Sequence, residues 1–193
     1  MLPRFAGLVL NEIDYDQPGV DVSEFVEILN TADQPMNLDG VFLIYVNGAN
    51  SSAYAPSPFG LTGTLEAGQY LVVASPLPFA VDPPAQVIRM PSSGMIQNGP
   101  DGVLLWDAAQ MRVIDSIAYA TSSIACEVQF ISSVGAMPIC LYEGLPLPPA
   151  VVDSATVESR SLIRFPNGTD PNVSADDWRL SLFPTPGPAN RLN

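Results

Sequence analysis

Short apolar runs rich in Val, Ile, Leu, Phe and Tyr alternate along this chain with clusters of Gly, Pro, Asn and Asp. Runs of this kind, bounded by residues that turn the backbone, read as β-strands. They predict strands at Gly7–Asp14, Glu24–Asn30, Val41–Val46, Tyr70–Ala74, Gln86–Met90, Val103–Trp106, Arg112–Tyr119, Ser159–Arg164 and Trp178–Leu182. Two of them carry more detail. Val41–Val46 is apolar at every position, as expected of a strand covered on both faces. In Val113–Tyr119 the pattern alternates, so Val113, Ile117 and Tyr119 share one face with Asp115. Asn47-Gly48, Asp101-Gly102 and Asn167-Gly168 supply turns, because these residues tolerate positive φ. No segment sustains a 3.6-residue period. One helical turn is predicted near Ala175–Trp178, with Ser174 as its cap ahead of Asp177.

The reading is therefore all-β. At 193 residues the chain fits one domain. A chain of this size buries roughly 70% of its unfolded surface, enough for a core without metal or cofactor. Hydrophobic residues make up 47% of it and charged residues only 14%, which argues against disorder. Its 20 prolines and 14 glycines are spread along the chain, as in a fold with many turns. Ala120–Thr156 departs from that regularity, because it holds both cysteines and the run Leu145-Pro146-Leu147-Pro148-Pro149. We read residues 1–193 as a single domain carrying an insertion at about 120–156.

Charge narrows the function. The 7 basic residues are all Arg and oppose 20 acids, giving −13, with no Lys and no His. Such a surface repels phosphate backbones, since nucleic-acid affinity comes from basic groups displacing condensed counterions. Nucleic acid is not an expected partner. Without His there is no Ser-His or Cys-His pair. Without Lys there is neither a Schiff base nor a phosphate-loop lysine. Carboxylate-only or metal-assisted hydrolysis is what remains for an enzyme. No apolar run reaches the roughly 18 residues of a membrane span. Met1–Gly7 lacks the apolar core of an export signal, so we expect either a signal trimmed away or a module that begins inside a larger protein. Arg191-Leu192-Asn193 is no prenylation box.

Several segments, in order, resemble the lamin-tail domain. Asn11-Glu12-Ile13 is similar to that family's opening strand, and Glu24-Phe25-Val26-Glu27-Ile28 followed by Asn30 to its second. Leu38-Asp39-Gly40-Val41 stands where the family has L-x-G-W, with Val41 in place of the tryptophan. Leu65-Glu66-Ala67-Gly68-Gln69-Tyr70-Leu71-Val72-Val73 resembles L-x-x-G-x-Y-L-V-V. Asn98–Leu105 resembles L-x-N-x-G-D-x-V-x-L with the Gly-Asp order changed, and Val113–Tyr119 resembles V-I-D-x-V-x-Y. Ser161-Leu162-Ile163-Arg164, Trp178 and Pro184-Thr185-Pro186-Gly187 with Asn190 complete the series. The resemblance implies an immunoglobulin-like β-sandwich and a non-catalytic interaction or scaffolding module. In bacteria, modules of this family accompany secreted and surface proteins. The expected function is accordingly a secreted or surface-displayed module with a protein or cell-surface partner. The alternative is an extracellular metal-dependent hydrolase, or an accessory domain of one, using acidic loops.

Particular residues bear on that choice. Glu27 sits among apolar neighbours in a predicted central strand, where a carboxylate needs donors or a cation. It reads as a structural acceptor for backbone N–H groups or for an arginine such as Arg164, and Asn30 joins these two as structural. Asp14–Glu24 is the densest acidic loop. It fails the EF-hand register, with Pro18 at position five and the closing acid one residue early. Asp14, Asp16, Asp21 and Glu24 are nevertheless the expected hard-oxygen ligands of a looser calcium site. Cys126 and Cys140 read as a disulfide joining two arms, Glu127–Ile131 and Ile139–Tyr142, around Ser132–Pro138. That bridge would close a loop of about 15 residues, contribute on the order of 3 kcal/mol, and suit a compartment outside the reducing cytosol. Sequons at Asn50, Asn167 and Asn172 add nothing without a glycosylating source.

Overall fold

The apolar runs become strands, and the turn clusters between them hide shorter ones. The computed structural model describes residues 4–54, 58–77, 79–120, 128–132, 135–154 and 158–192. The first half holds β1 (Leu8–Asp14), β2 (Phe25–Asn30), β3 (Met36–Asn37), β4 (Val41–Asn47), β5 (Ser52–Ala53), β6 (Phe59–Gly60), β7 (Thr64–Leu65) and β8 (Tyr70–Ala74). There follow β9 (Gln86–Arg89), β10 (Asp101–Asp107), β11 (Arg112–Tyr119), β12 (Val128–Ser132), β13 (Gly135–Ile139), β14 (Ser161–Arg164), α1 (Ser174–Asp177) and β15 (Trp178–Ser181). The pattern missed β3, β5, β6 and β7 because two residues cannot show an alternation.

Two sheets make an immunoglobulin-like β-sandwich. One has six strands in the order β15-β14-β1-β2-β8-β9, and the other runs β11-β10-β4-β5 with β6 also on β4. Between them, Leu10, Ile13, Val26, Ile28 and Leu71 meet Leu43, Tyr45, Val103, Leu105 and Ile117. Burying each such side chain contributes roughly 1.5–3 kcal/mol. Both outer faces are covered as well. Ile44, Val46, Leu104 and Trp106 pack with Ile139 and Leu141, the latter just past β13. On the opposite side Phe25, Val72 and Ala74 lie against Phe79, Val81 and Ala85. This double covering is why β4 is apolar at successive positions. Val41 and Trp178 are both fully buried in the central cluster.

Two register shifts aim polar side chains. On β1 the pairing with β2 slips between Leu10 and Glu12; the Glu12 side chain reaches Thr185, while the Asn11 carbonyl accepts the Asn190 amide and its side chain meets Glu27 and Gly168. On β11 the pairing with β10 slips at Ile114, so that Leu105 opposes Asp115 and Trp106 opposes Val113. Such bulges redirect side chains at the cost of one ladder position.

Two local expectations need correction. The hairpin arms are Val128–Ser132 and Gly135–Ile139, with Ser132 opposite Gly135. The Gly135–Pro138 stretch, expected in a turn, lies within β13. In a two-stranded ribbon every strand has a free edge, so Pro138 is tolerated there opposite Gln129. Ser174 does not cap the helical turn; Val173 holds that position. The Ser174 hydroxyl instead accepts the Glu143 N–H at 3.0 Å, while Asp177 accepts the Val173 N–H at 3.2 Å.

After the hairpin the chain returns to the six-stranded sheet as β14, whose Ile163 opposes Glu12. The closing segment then docks on the sheet's outer side, since its prolines lack the N–H a central ladder needs. Glu12 accepts the Thr185 N–H at 2.8 Å and its hydroxyl at 2.9 Å, and Glu27 accepts the Gly187 N–H at 2.6 Å. The Pro186 carbonyl takes the Asp82 N–H at 2.9 Å. Gly187 sits at φ +113, and a Cβ there would collide with the Asp82 carbonyl. Gly187→Ala is expected to lower stability by about 2 kcal/mol or more, because strain at positive φ adds to displacement of the tail. Urea denaturation reads this as a lower midpoint; an unchanged midpoint would mean that the tail is not part of the cooperative fold.

Candidate functional site

The densest constellation of chemistry centres on Arg164, at the end of β14. Its side chain is fully buried, with Cζ 5.1 Å from the ring centre of Trp178, its register partner on β15. Nε donates to the Leu10 carbonyl at 2.7 Å, and Nη2 to Asp115 at 2.7 Å on the facing sheet. Nη1 donates to the Thr169 carbonyl and to Asp170, each at 3.2 Å, and lies 2.9 Å from Asp177. Glu143 stands 4.0 Å from Nη2, too far for a hydrogen bond. The other oxygen of Asp115 accepts the Leu10 N–H at 2.7 Å, next to the β1 bulge.

Four carboxylates thus surround one guanidinium. Burial works against the charge on Arg164, but Asp115, Asp170 and Asp177 more than offset it and hold its pKa above the usual value. Burial lifts Asp115 to about 6 although Arg164 opposes the rise. Burial, then repulsion from Asp115 and Asp170, lifts Glu143 to about 8. Oxygens of Asp115, Glu143 and Asp170 lie within 4.8 Å of one another, the spacing of a set that holds a cation. The cation already beside them is Arg164.

A second constellation pairs Glu12 with Glu27, direct neighbours across β1 and β2. Besides the tail, Glu12 accepts the Ser161 hydroxyl at 2.6 Å, and Glu27 accepts the Asn11 amide at 2.7 Å. Burial raises Glu12 to about 7 against the donors Ser161 and Thr185. Burial, followed by the Glu12 charge, raises Glu27 well above its ordinary value. Glu27 is therefore an acceptor for an amide and a backbone N–H, and Arg164 has other partners. Asn30 ties down loops: its amide donates to the carbonyls of Gln34, Leu65 and Glu66 at 2.9, 3.0 and 3.1 Å.

The Asp14–Glu24 loop is organised around its own donors. Asp14 accepts the Gln17 amide at 2.6 Å and Asp21 the Gln17 N–H at 2.9 Å. Both Glu24 oxygens are engaged, by the N–H groups of Gly94, Met95 and Ile96 at 2.7, 3.1 and 3.3 Å. Asp16 donates its N–H to Asp153 at 3.2 Å, and Tyr15 does the same at 3.1 Å. Asp14, Asp16, Asp21 and Glu24 do not converge on a common point: among the described residues, the convergent carboxylates are those beside Arg164. Sequence reasoning missed Gln17 and Asp153, which carry no pattern of their own. It also missed Glu143 and Asp170, although the placing of Asp115 with Ile117 and Tyr119 was visible in the alternation of β11; Val113, expected on that face, packs with the outer cluster because the bulge at Ile114 intervenes. Of the cysteine pair, Cys126 lies outside the described residues.

Beside the Arg164 cluster opens a cavity of about 560 Å³. It is lined by Arg112–Ile114 and Ser116 of β11, by the turn Phe5–Leu8 that leads into β1, and by Cys140, Tyr142, Glu143, Asp170 and Asn172.

Compared with known proteins, residues 3–121 match the family model described as the Lamin Tail Domain. No curated protein matches the chain. The match ends ahead of β14 and β15, which extend the same sheet as β1.

Raised carboxylates set the pH dependence. Glu12, Glu24 and Asp153 at about 7, Asp115 at about 6 and Glu143 at about 8 all owe the rise first to burial. Between the ordinary carboxylate range and about pH 8 the native chain holds protons that the unfolded chain has released. Stability is then highest in mild acid and falls as pH rises through these values. Thermal melts are expected to give a higher Tm near about pH 5.5 than near about pH 8; a flat or rising profile would show that the acids are ionised in the native state.

Proposed function

Because the chain belongs to the lamin tail domain family, we propose that it is a non-catalytic interaction module, secreted or displayed at a cell surface. One observation carries this reading. The buried acids act as acceptors for the chain's own donors: Glu12 for Thr185, Glu24 for Gly94–Ile96, Glu27 for Gly187 and Asp153 for Tyr15 and Asp16. Carboxylates used in this way hold loops on a scaffold, whereas a hydrolase presents its acid and base to a substrate within hydrogen-bond reach. The partner class is a protein, and the acidic surface disfavours nucleic acid. Among the described residues no helix is long and apolar enough to cross a membrane.

The competing hydrolase reading rests on the carboxylates beside Arg164 and on the Asp14–Glu24 loop. Assays of phosphodiester and glycoside hydrolysis with added divalent metals are expected to show no turnover. Activity that disappears in an Asp16→Ala protein would overturn the module reading.

Placement outside the cytosol rests on the Cys126–Cys140 bridge, since disulfides persist where thiols are not kept reduced. Thiol titration of the unfolded, unreduced protein is expected to find no reactive thiol. Two reactive thiols would remove both the bridge and the placement.

A further inference from the structure

The cavity beside β11 lies along a free sheet edge. β11 is the outermost strand of its sheet, and among the described residues no strand pairs with its outer side. Val113 packs against the outer cluster and Ile114 against the central one, and both line the cavity with Arg112, so it runs along the edge of the strand rather than over one face. These three residues are half-buried, whereas β11 from Asp115 onward is buried. An unpaired edge of this kind accepts an extended segment by backbone hydrogen bonding.

Charge then says which segment. Glu143 and Asp170 are at one end, each with about a fifth of its side chain exposed. Glu143 lies level with Asp115, because their carboxylate oxygens are within 4.8 Å. Arg112 is three positions earlier on the strand, roughly 10 Å away at the rise of a β-strand. The cavity is therefore polarised along its length. Buried atoms at both ends lack partners: Oε2 of Glu143 and Nε of Arg112 make no hydrogen bond. Buried polar atoms left in this way are normally satisfied by a water, an ion or a bound group.

The geometry points to this cavity as the docking site for an extended peptide segment of a partner protein, paired to the outer edge of β11. The segment carries a basic side chain at the Glu143–Asp170 end and an acidic one toward Arg112. This rests on the reading of the chain as an interaction module and gives that module a partner chemistry. The acidic end, already crowded with carboxylates around Arg164, gains a second cation. Arg112 gains the anion that no described neighbour supplies.

The probe is an N-acetylated, C-amidated peptide of threonine and valine with one arginine and one glutamate three positions apart, about the separation of Arg112 from Asp115 along the strand. In the folded protein, backbone amide shifts are expected at Arg112–Ser116 and Ala6–Leu8 at sub-millimolar peptide. Replacing the arginine by citrulline, or the glutamate by glutamine, is expected to weaken binding about tenfold each, the usual worth of a charge-assisted hydrogen bond. Glu143→Gln should weaken the parent peptide but not the citrulline one, and Arg112→Gln the parent but not the glutamine one. Peptide N-methylated on alternate amides should not bind, and this control leaves the protein unaltered. The inference is overturned if those amides do not move at millimolar peptide, or if citrulline and parent peptides bind alike. It is overturned equally if millimolar Ca²⁺ shifts the same amides and displaces the peptide. None of these results touches the module reading, which falls only to hydrolytic turnover.

Discussion

A fully buried ion pair joins the two sheets: Arg164 on β14 reaches Asp115 on β11 with no solvent-exposed side-chain surface on either partner. Taking each ion out of water costs several kcal/mol, so the contact persists only because its remaining bonds are made. Leu10 supplies both a carbonyl for Arg164 and an N–H for Asp115, and Thr169 supplies a further carbonyl. The hydrophobic driving force is itself non-directional. A guanidinium held by directional bonds admits one arrangement. The pair therefore fixes how the sandwich halves are set, and it draws three remote segments to one place: Glu143 from beyond the hairpin, Asp170 from the loop after β14, and Asp177 from α1.

The other buried acids follow the same logic with different donors. Glu12 and Glu27 turn a sheet face that would otherwise repel negative charge into a cradle for backbone N–H groups of the tail. Glu24 does this for the Gly94–Ile96 turn and Asp153 for the start of the loop after β1. An excess of acids in this composition is thus partly an internal matter. Carboxylates are here the fold's general-purpose acceptors, and surface charge is what remains after those roles are filled.

Most of this architecture was legible in the chain. Long strands such as Tyr70–Ala74 and Arg112–Tyr119 coincide with their apolar runs, because a half-buried or buried strand imposes its period on the sequence. The apolar run Val41–Val46 rightly announced a strand covered twice. What escaped was set by tertiary contact. Ser174 has the chemistry of a cap, yet Glu143 claims its hydroxyl from 31 positions away. The Gly135–Pro138 stretch has turn composition, yet a ribbon with open edges accommodates it as a strand. Asp14, Asp16, Asp21 and Glu24 looked like one ligand set because they are close in sequence. Gln17 and the Gly94–Ile96 turn engage Asp14 and Glu24 separately, and the Asp16 N–H goes to Asp153. The set that does converge, Asp115, Glu143 and Asp170, is scattered along the chain and carries no motif to announce it.

The tail contacts close very long loops. Glu27 meets Gly187 across 160 positions and Glu12 meets Thr185 across 173. On a ribosome, β1 and β2 emerge early with their carboxylates unanswered, and the segment that answers them is made more than 150 residues later. Until then the nascent sheet has acids on a surface destined for burial, which water must solvate. Closure of such distant contacts is slow and comes late in assembly. The last strands and the proline-rich segment therefore act as a clasp: residues made late close contacts that residues made early leave open.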